Sequence, residues 1–253
     1  MTAQTFRSIY ILWLRQLKRY LRSRARIVGS LGQPLLFLIA LGFGFGPIYQ
    51  KAGGGNYLAF LAPGVIAMGI LFTAIFSGIE IIWDKQFGFL KETLVAPVSR
   101  LTIMVGRTLG GATVALLQGI IVFGLALLIG FRPTAWMLTP WSLLIMLGIA
   151  VIFASFGTAI ASLLDDMQGF QLIMNFVVMP TFFLSGALFP LAGVPSAILI
   201  VSRLDPLSYG VDALRWAFEG VSYFGIGLDA LVLTLIAAAL LGIGSYLFSR
   251  IEI

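Results

Sequence analysis

The side chains that could do chemistry in this chain are few and of limited kinds. Ten carboxylates stand at Glu80, Asp84, Glu92, Asp165, Asp166, Asp205, Asp212, Glu219, Asp229 and Glu252. There is no His, the usual near-neutral acid or base and the commonest metal ligand. There is no Cys, hence no thiolate and no disulfide framework. No Ser/His/Asp set can be assembled. No Lys follows a Gly in the spacing GxxxxGK[ST], so the chain has no phosphate-cradling loop of its own for ATP. The carboxylates fall at the edges of apolar runs or between them, not at their centres, where an ion-driven carrier is expected to keep an ionisable group. Gln118 and Asn175 are polar groups inside apolar runs, and such groups commonly bond helix to helix. Catalysis is therefore not the expected work, and neither is metal or cofactor binding by this chain.

One stretch concentrates charge and aromatic rings. WDKQFGFLKETLVAPVSR, residues 83–100, holds Asp84, Lys85, Lys91, Glu92 and Arg100 between long uncharged runs. As a short helix over 83–94 it would place Phe87, Leu90 and Leu94 on one face, with Pro97 as its stop. Such a segment is either an interfacial loop held by Trp83 and its cations or an apolar-faced helix that docks in a groove of another protein.

The elements that position this island are membrane helices. Of 253 residues, 60% are hydrophobic and 10% charged, and the mean hydropathy is +1.04. A soluble domain is about a quarter charged. Crossing the hydrocarbon takes about 20 apolar residues, and six stretches qualify: 28–46, 58–82, 101–131, 140–164, 169–189 and 228–248. Pro47, Lys51 and the triplet Gly53-Gly54-Gly55 divide the first from the second, Arg132-Pro133 closes the third and Asp165-Asp166 the fourth. No run alternates as a β-barrel strand would. The first span starts too late, and without small-residue cleavage chemistry, for a signal peptide. With six spans, twelve of the sixteen Lys and Arg fall on one side and Lys51, Arg132, Arg203 and Arg215 on the other. That asymmetry places both termini and the island in the cytoplasm. The excess charge of +6 thus reads as topology rather than as nucleic-acid binding.

Three further features stand out. Residues 5–26 form a basic amphipathic helix, with Ile9, Leu12, Trp13, Gln16, Leu17 and Tyr20 at helical spacing, suited to the headgroup layer. It serves as an orientation signal and is also placed to touch a cytoplasmic partner. Gly106-x-x-x-Gly110, beside Gly111, permits a close helix neighbour. The 35-odd residues 191–226 are long for a turn. They hold SAILIVSRL, too short to span, and, after Asp205-Pro206, the amphipathic SYGVDALRWAFEG with Gly220 as its stop. They form either a surface loop with an interfacial helix or a gate of broken helices above a path, which survives at membrane depth only under protein or around a cavity.

FGFLKETLVAPVSRLTIMVGRTLGGATVALLQG (87–119), FLSGALFPLAGVPSAILIVSRLDPLSYGVDALRWAFEG (183–220) and LRSRARIVGSLGQPLLFLIALGFGFG near the start resemble membrane subunits of type-2 ABC exporters, closest to the daunorubicin-resistance and nodulation-exporter branch. The resemblance covers essentially the whole chain. It implies an all-α integral membrane protein of the plasma (inner) membrane, with an interfacial helix over 1–26 and an ABC-2 type transmembrane domain over 27–253. It also implies a dimer of this chain with two cytoplasmic ABC ATPase subunits, which carry the ATP and Mg, and membrane lipid as a further partner. The segment after the second span then resembles a coupling helix, with Asp84, Lys85, Phe87, Phe89, Leu90, Lys91 and Glu92 as ATPase contacts. Residues 183–220 resemble the re-entrant outer helices, with Phe183, Phe189, Pro190, Asp205, Pro206, Tyr209 and Trp216 as gate residues. The short, Gly-rich loop between the first two spans leaves no room for the large external domain of macrolide-type exporters. An ion-coupled carrier without an ATPase is the other transport reading, and it predicts an internal repeat; none is evident.

Overall fold

The computed structural model describes residues 3–53, 55–88 and 98–249. Among these, every regular element is a helix. They are α1 (Ala3–Arg22), α2 (Arg24–Lys51) and α3 (Tyr57–Gln86), α4 (Arg100–Ile129), α5 (Trp141–Leu163), α6 (Met167–Leu184), α7 (Ser196–Leu204), α8 (Pro206–Glu219) and α9 (Ile226–Ser249). Six of them, α2 to α6 and α9, are long and apolar enough to cross a membrane.

Local chemistry sets the ends. Asn56 accepts the N–H of Leu58 and Ala59 at the start of α3, Ser99 that of Thr102 at the start of α4, and Asp166 that of Gly169 at the start of α6. Each side-chain oxygen satisfies a donor that a helix start leaves open. Helix α8 stops at Gly220 (φ 73°), as the sequence predicts, and starts two residues earlier than expected, with Asp205 as its cap and Pro206 in its first turn.

Several boundaries differ from the sequence expectation. Pro47 does not end the first span; it lies inside a helix that continues to Lys51. That helix adjusts earlier instead, through a π-helical turn at Phe37–Leu41. The second span runs on past Ile82 to Gln86, so Trp83 to Gln86 finish α3 rather than open a separate surface helix. The fifth span stops at Leu184, five residues short of the expected Phe189. There Gly186 (φ 73°) turns the chain and the Ser185 hydroxyl accepts the Ala187 N–H at 3.2 Å.

Helices α3, α4 and α5 pack on one another at the centre, α8 and α9 close one flank and α2 and α6 lie outermost. Burial is greatest at the centre and least on α9, α2 and α6: 72% of the apolar window of α3 is covered, against 11%, 17% and 22% for those three. Phe43, Phe45, Ile48 and Phe176 are accordingly exposed, which suits a lipid solvent as apolar as they are. The centre relies on close backbone approach. A Cβ on Gly157 of α5 would run into the Ile75 backbone of α3, and one on Gly78 into the Gly157 carbonyl.

Helix α1 is not a free surface helix. Leu12 meets Gly106, Gln16 meets Gly110, Trp13 Nε1 donates to Thr113 Oγ1 at 2.9 Å, and the Tyr20 hydroxyl donates to Gln118 Oε1 at 2.9 Å. Residue numbers rise together along both helices, so α1 follows α4 in the same direction. The Gly106/Gly110 notch is therefore the seat of α1, whereas a Cβ on Gly111 would clash with Ser77 of α3. Gly110→Leu should overpack this contact by about 1–3 kcal/mol. The chain lacks Cys, so a Trp13→Cys/Thr113→Cys pair reports directly: its crosslinking yield should drop sharply on adding Gly110→Leu, and an unchanged yield would refute the seating.

Candidate functional site

The end of α3 gathers charge from three other helices and from the α5–α6 turn. Glu80 and Asp84 stand one turn apart and are each only 5% exposed. Glu80 takes Arg19 of α1 at 3.0 Å and Arg26 of α2 at 3.2 Å. Asp84 takes Arg15 of α1 at 3.2 Å and Arg107 of α4, itself buried. The next residue, Lys85, donates to the Ser162 and Leu164 carbonyls at 2.9 Å each and to Asp165 Oδ1 at 3.2 Å. A cation on the last carbonyls of α5 satisfies groups that the helix leaves open and complements its dipole. Gln86 adds a bond to the Asp165 carbonyl at 3.1 Å. The tip of α3 is thus tied to α1, α2, α4 and the α5–α6 turn. Buried ion pairs add little net stability, but they fix geometry and are costly to break from one side.

These contacts divide the predicted coupling residues. Asp84 and Lys85 point into the bundle, and Phe87, 71% exposed, points out. Phe89, Leu90, Lys91 and Glu92 lie outside the described residues. The sequence reading missed Glu80, Arg107 and the α1 arginines as one unit. The available signal was the i, i+4 spacing of Glu80 and Asp84, which puts two carboxylates on one helix face.

Beside the Glu80–Arg26 pair lies a cavity of about 480 Å³ bounded by α1, α2, α3, α4 and the start of α6. Gln16, Tyr20, Ser30, Gln33 and Gln171 supply polar groups, while Met68, Phe72, Phe76 and Trp83 supply apolar wall. Behind Tyr20 and Ser30, Gln118 is helix-to-helix glue: its Nε2 donates to the Ser30 carbonyl at 3.2 Å and its Oε1 accepts from Tyr20 and Ser30. Asn175, by contrast, is exposed on α6.

At the opposite end of the bundle, α7 and α8 meet at Asp205 and are bonded to the close of α6. Ser202 Oγ donates to the Leu184 carbonyl at 2.5 Å, Arg215 donates to the Gly186 carbonyl at 2.6 Å and stacks 3.9 Å over the Phe60 ring, and the Tyr57 hydroxyl donates to the Leu188 carbonyl at 3.0 Å. Of the predicted gate residues, Asp205, Pro206 and Tyr209 come together at the α7–α8 joint. Asp205 accepts the Leu207 N–H at 2.8 Å, and the Tyr209 hydroxyl donates to the Arg203 carbonyl at 2.7 Å. Phe183 and Pro190 are exposed, and Phe189 and Trp216 half-buried, away from that joint. Sequence reasoning missed Arg215, whose guanidinium is lowered to about 10 by burial, against the raising pull of Asp212, and so stays charged at neutral pH.

Burial pushes the Asp205 carboxyl up from 3.8 to about 7, against the lowering pull of the Leu207 N–H and Ser208. The α7–α8 joint therefore favours the neutral acid. The stability this gives is complete below the ordinary 3.8 and is lost as pH rises through about 7. Asp205→Asn keeps an N-cap oxygen and should flatten the fall in melting temperature across that window. A pH profile unchanged from wild type would show that Asp205 does not titrate there.

Among the described residues, an all-helical bundle with six helices long and apolar enough to cross a membrane marks a multi-pass membrane protein. Residues 7–218 match the ABC-2 type transporter family, and the chain belongs to it, as a transmembrane ABC transporter subunit. It is 30% identical over 212 residues to nodulation protein J of Rhizobium leguminosarum bv. trifolii, covering 83% of this chain and 78% of that protein. It is 29% identical over 263 residues to the putative transport permease ycf38 of Cyanophora paradoxa, covering 96% and 88%. Nodulation protein J of Rhizobium meliloti (strain 1021) is similar at 29% over 206 residues, 81% and 78%. These relatives set it in the nodulation-exporter-like branch.

Proposed function

We propose that this chain is the permease half of an ATP-driven exporter, with an ABC ATPase on a separate chain as its engine. The observation that carries this reading is the tip of α3: a strongly exposed aromatic residue, Phe87, on a helix end that is ion-paired or hydrogen-bonded to four other parts of the bundle. A push on the 87–97 segment is then delivered to α1, α2, α4 and α5 together. Two ATPase copies carry ATP and Mg, and ATP-driven closure moves the two tips of a dimer of this chain.

The basic end faces the cytoplasm of a plasma (inner) membrane. The described ends of α1 and α9 both lie there, since Leu12 sits on Gly106 and Ser245 lies 3.4 Å from Met104, and the Lys/Arg excess supports that orientation. The second copy packs against α2 and α6, the least covered spans apart from α9, where the exposed Asn175 offers a helix-to-helix hydrogen bond. The substrate is an amphipathic drug, lipid or glycolipid. It enters by the cavity beside Glu80, where apolar rings meet polar groups, and leaves past the re-entrant helices α7 and α8.

Gentle purification from native membranes, followed by mass spectrometry, tests the reading. A P-loop ATPase at one-to-one stoichiometry, with hydrolysis stimulated by substrate, is the expected result. A clean oligomer of this chain alone, transporting on an ion gradient, would replace it with the secondary-carrier reading.

A further inference from the structure

Helix α1 carries three different faces at helical spacing. One, with Leu12, Trp13, Gln16 and Tyr20, is occupied by α4. A second is apolar and turned outward: Phe6, Tyr10 and Leu21 are more than half exposed, with Leu14 and Leu17 half-buried between them. The third is cationic. Arg15, Lys18, Arg19 and Arg22 line an open recess of about 540 Å³, completed only by Ser23 and without any carboxylate. Arg15 and Arg19 reach inward to Asp84 and Glu80, yet remain 48% and 46% exposed, so each keeps donors on the recess side. Around the two buried carboxylates stand four arginines, Arg15, Arg19, Arg26 and Arg107. The cluster is therefore under-neutralised before Lys18 and Arg22 are counted.

We propose that this recess binds the headgroup of an anionic phospholipid whose acyl chains lie along Leu14, Leu17 and Leu21. Charge complementarity selects an anion, and the adjoining apolar face selects one with a hydrocarbon tail. The level of the site supports this: Glu80, Asp84 and Asp165 mark where the apolar zone of the bundle ends. Because Arg15 and Arg19 are shared between the recess and the tip of α3, the lipid would bear on the same clamp that holds α1. The inference requires only that the chain sit in a bilayer and does not depend on what it transports.

The test is native mass spectrometry of the full chain titrated with phosphatidylglycerol or phosphatidylcholine, in wild type and in Lys18→Gln/Arg22→Gln, which leaves the ion pairs of Arg15 and Arg19 in place. Wild type should retain phosphatidylglycerol in preference. The double variant should retain it roughly 30-fold more weakly, with phosphatidylcholine unchanged. Rising salt should weaken the wild-type preference even if the variant is poorly behaved. Equal retention of the two lipids, an unchanged double variant, or equally good competition by glycerol phosphate, which has the headgroup charge without the tails, would each overturn the proposal. So would a double variant that keeps its phosphatidylglycerol and loses a bound ATPase, since the face would then be a protein contact.

Discussion

Asp84→Ala should destabilise the bundle by about 3–5 kcal/mol, the usual cost of stranding one member of a buried ion pair. The stranded partner is Arg107, whose side chain is 2% exposed and already holds two buried donors, Nε and Nη1, without an acceptor among the described residues. Water cannot reach it to replace the lost carboxylate. Arg15, the other partner of Asp84, is about half exposed and rehydrates at little cost. Glu80 provides the internal control. It is as buried as Asp84, but both its partners are 42–46% exposed, so Glu80→Ala leaves no cation trapped and should cost about 1 kcal/mol or less. Thermal melts in detergent, followed by size-exclusion recovery, measure the difference. Equal losses at the two positions would contradict the assignment. A second arm separates stability from coupling. Asp84→Leu with Arg107→Met replaces the pair by apolar groups and should recover most of the melting temperature, yet transport driven by ATP should stay impaired because the tip of α3 is no longer ion-paired to α4. Full transport in that variant would reduce the pair to a structural detail.

How much of this was legible beforehand depends on the range of the interactions. The six spans were, because each is a single stretch of about 20 apolar residues whose signal is local. Helix α8 was as well, to within two residues at its start, since Asp205-Pro206 and Gly220 are local start and stop signals. The early end of α6 was not: FFLSGALF reads as continuous apolar sequence, and the turn depends on Gly186 adopting φ 73° while the chain beyond it is bonded from Arg215 and Tyr57. The Gly106/Gly110 notch was visible as a notch, but its occupant lies about a hundred residues earlier and no local pattern names it. The clamp was missed for the same reason. Charges at span edges have a sufficient explanation as orientation signals, and only the packing of α1 along α4 brings Arg15 and Arg19 over Glu80 and Asp84. Long-range pairing also moved Asp84 and Lys85 from the expected outer surface into the bundle.

That inward turn concentrates the docking question on Phe87, and its replacement by Asp should abolish retention of the ATPase while leaving the permease folded. Phe87 follows the last turn of α3, with its N–H on the Trp83 carbonyl at 2.9 Å, and its ring is 71% exposed. An aromatic side chain presented to water on a helix end costs the permease little to change, within about 0.5 kcal/mol for an exposed position. The same ring seated in a groove of a partner is the kind of residue whose loss costs more than about 2 kcal/mol, or roughly a 30-fold fall in affinity. A carboxylate carried into that groove would add a desolvation penalty. Leu90→Asp, on the face that the sequence pattern gives to Phe87, Leu90 and Leu94, should act in the same direction. The measurement is co-purification from cells expressing both chains, scored against insertion and monodispersity of the permease alone. Loss of the ATPase with normal insertion fits a lever whose outer surface is Phe87 and whose inner surface is the ion-paired tip of α3. A Phe87→Asp permease that retains its full complement of ATPase and transports normally would show that the push enters elsewhere, and the ties at Glu80, Asp84 and Lys85 would then only hold the bundle together.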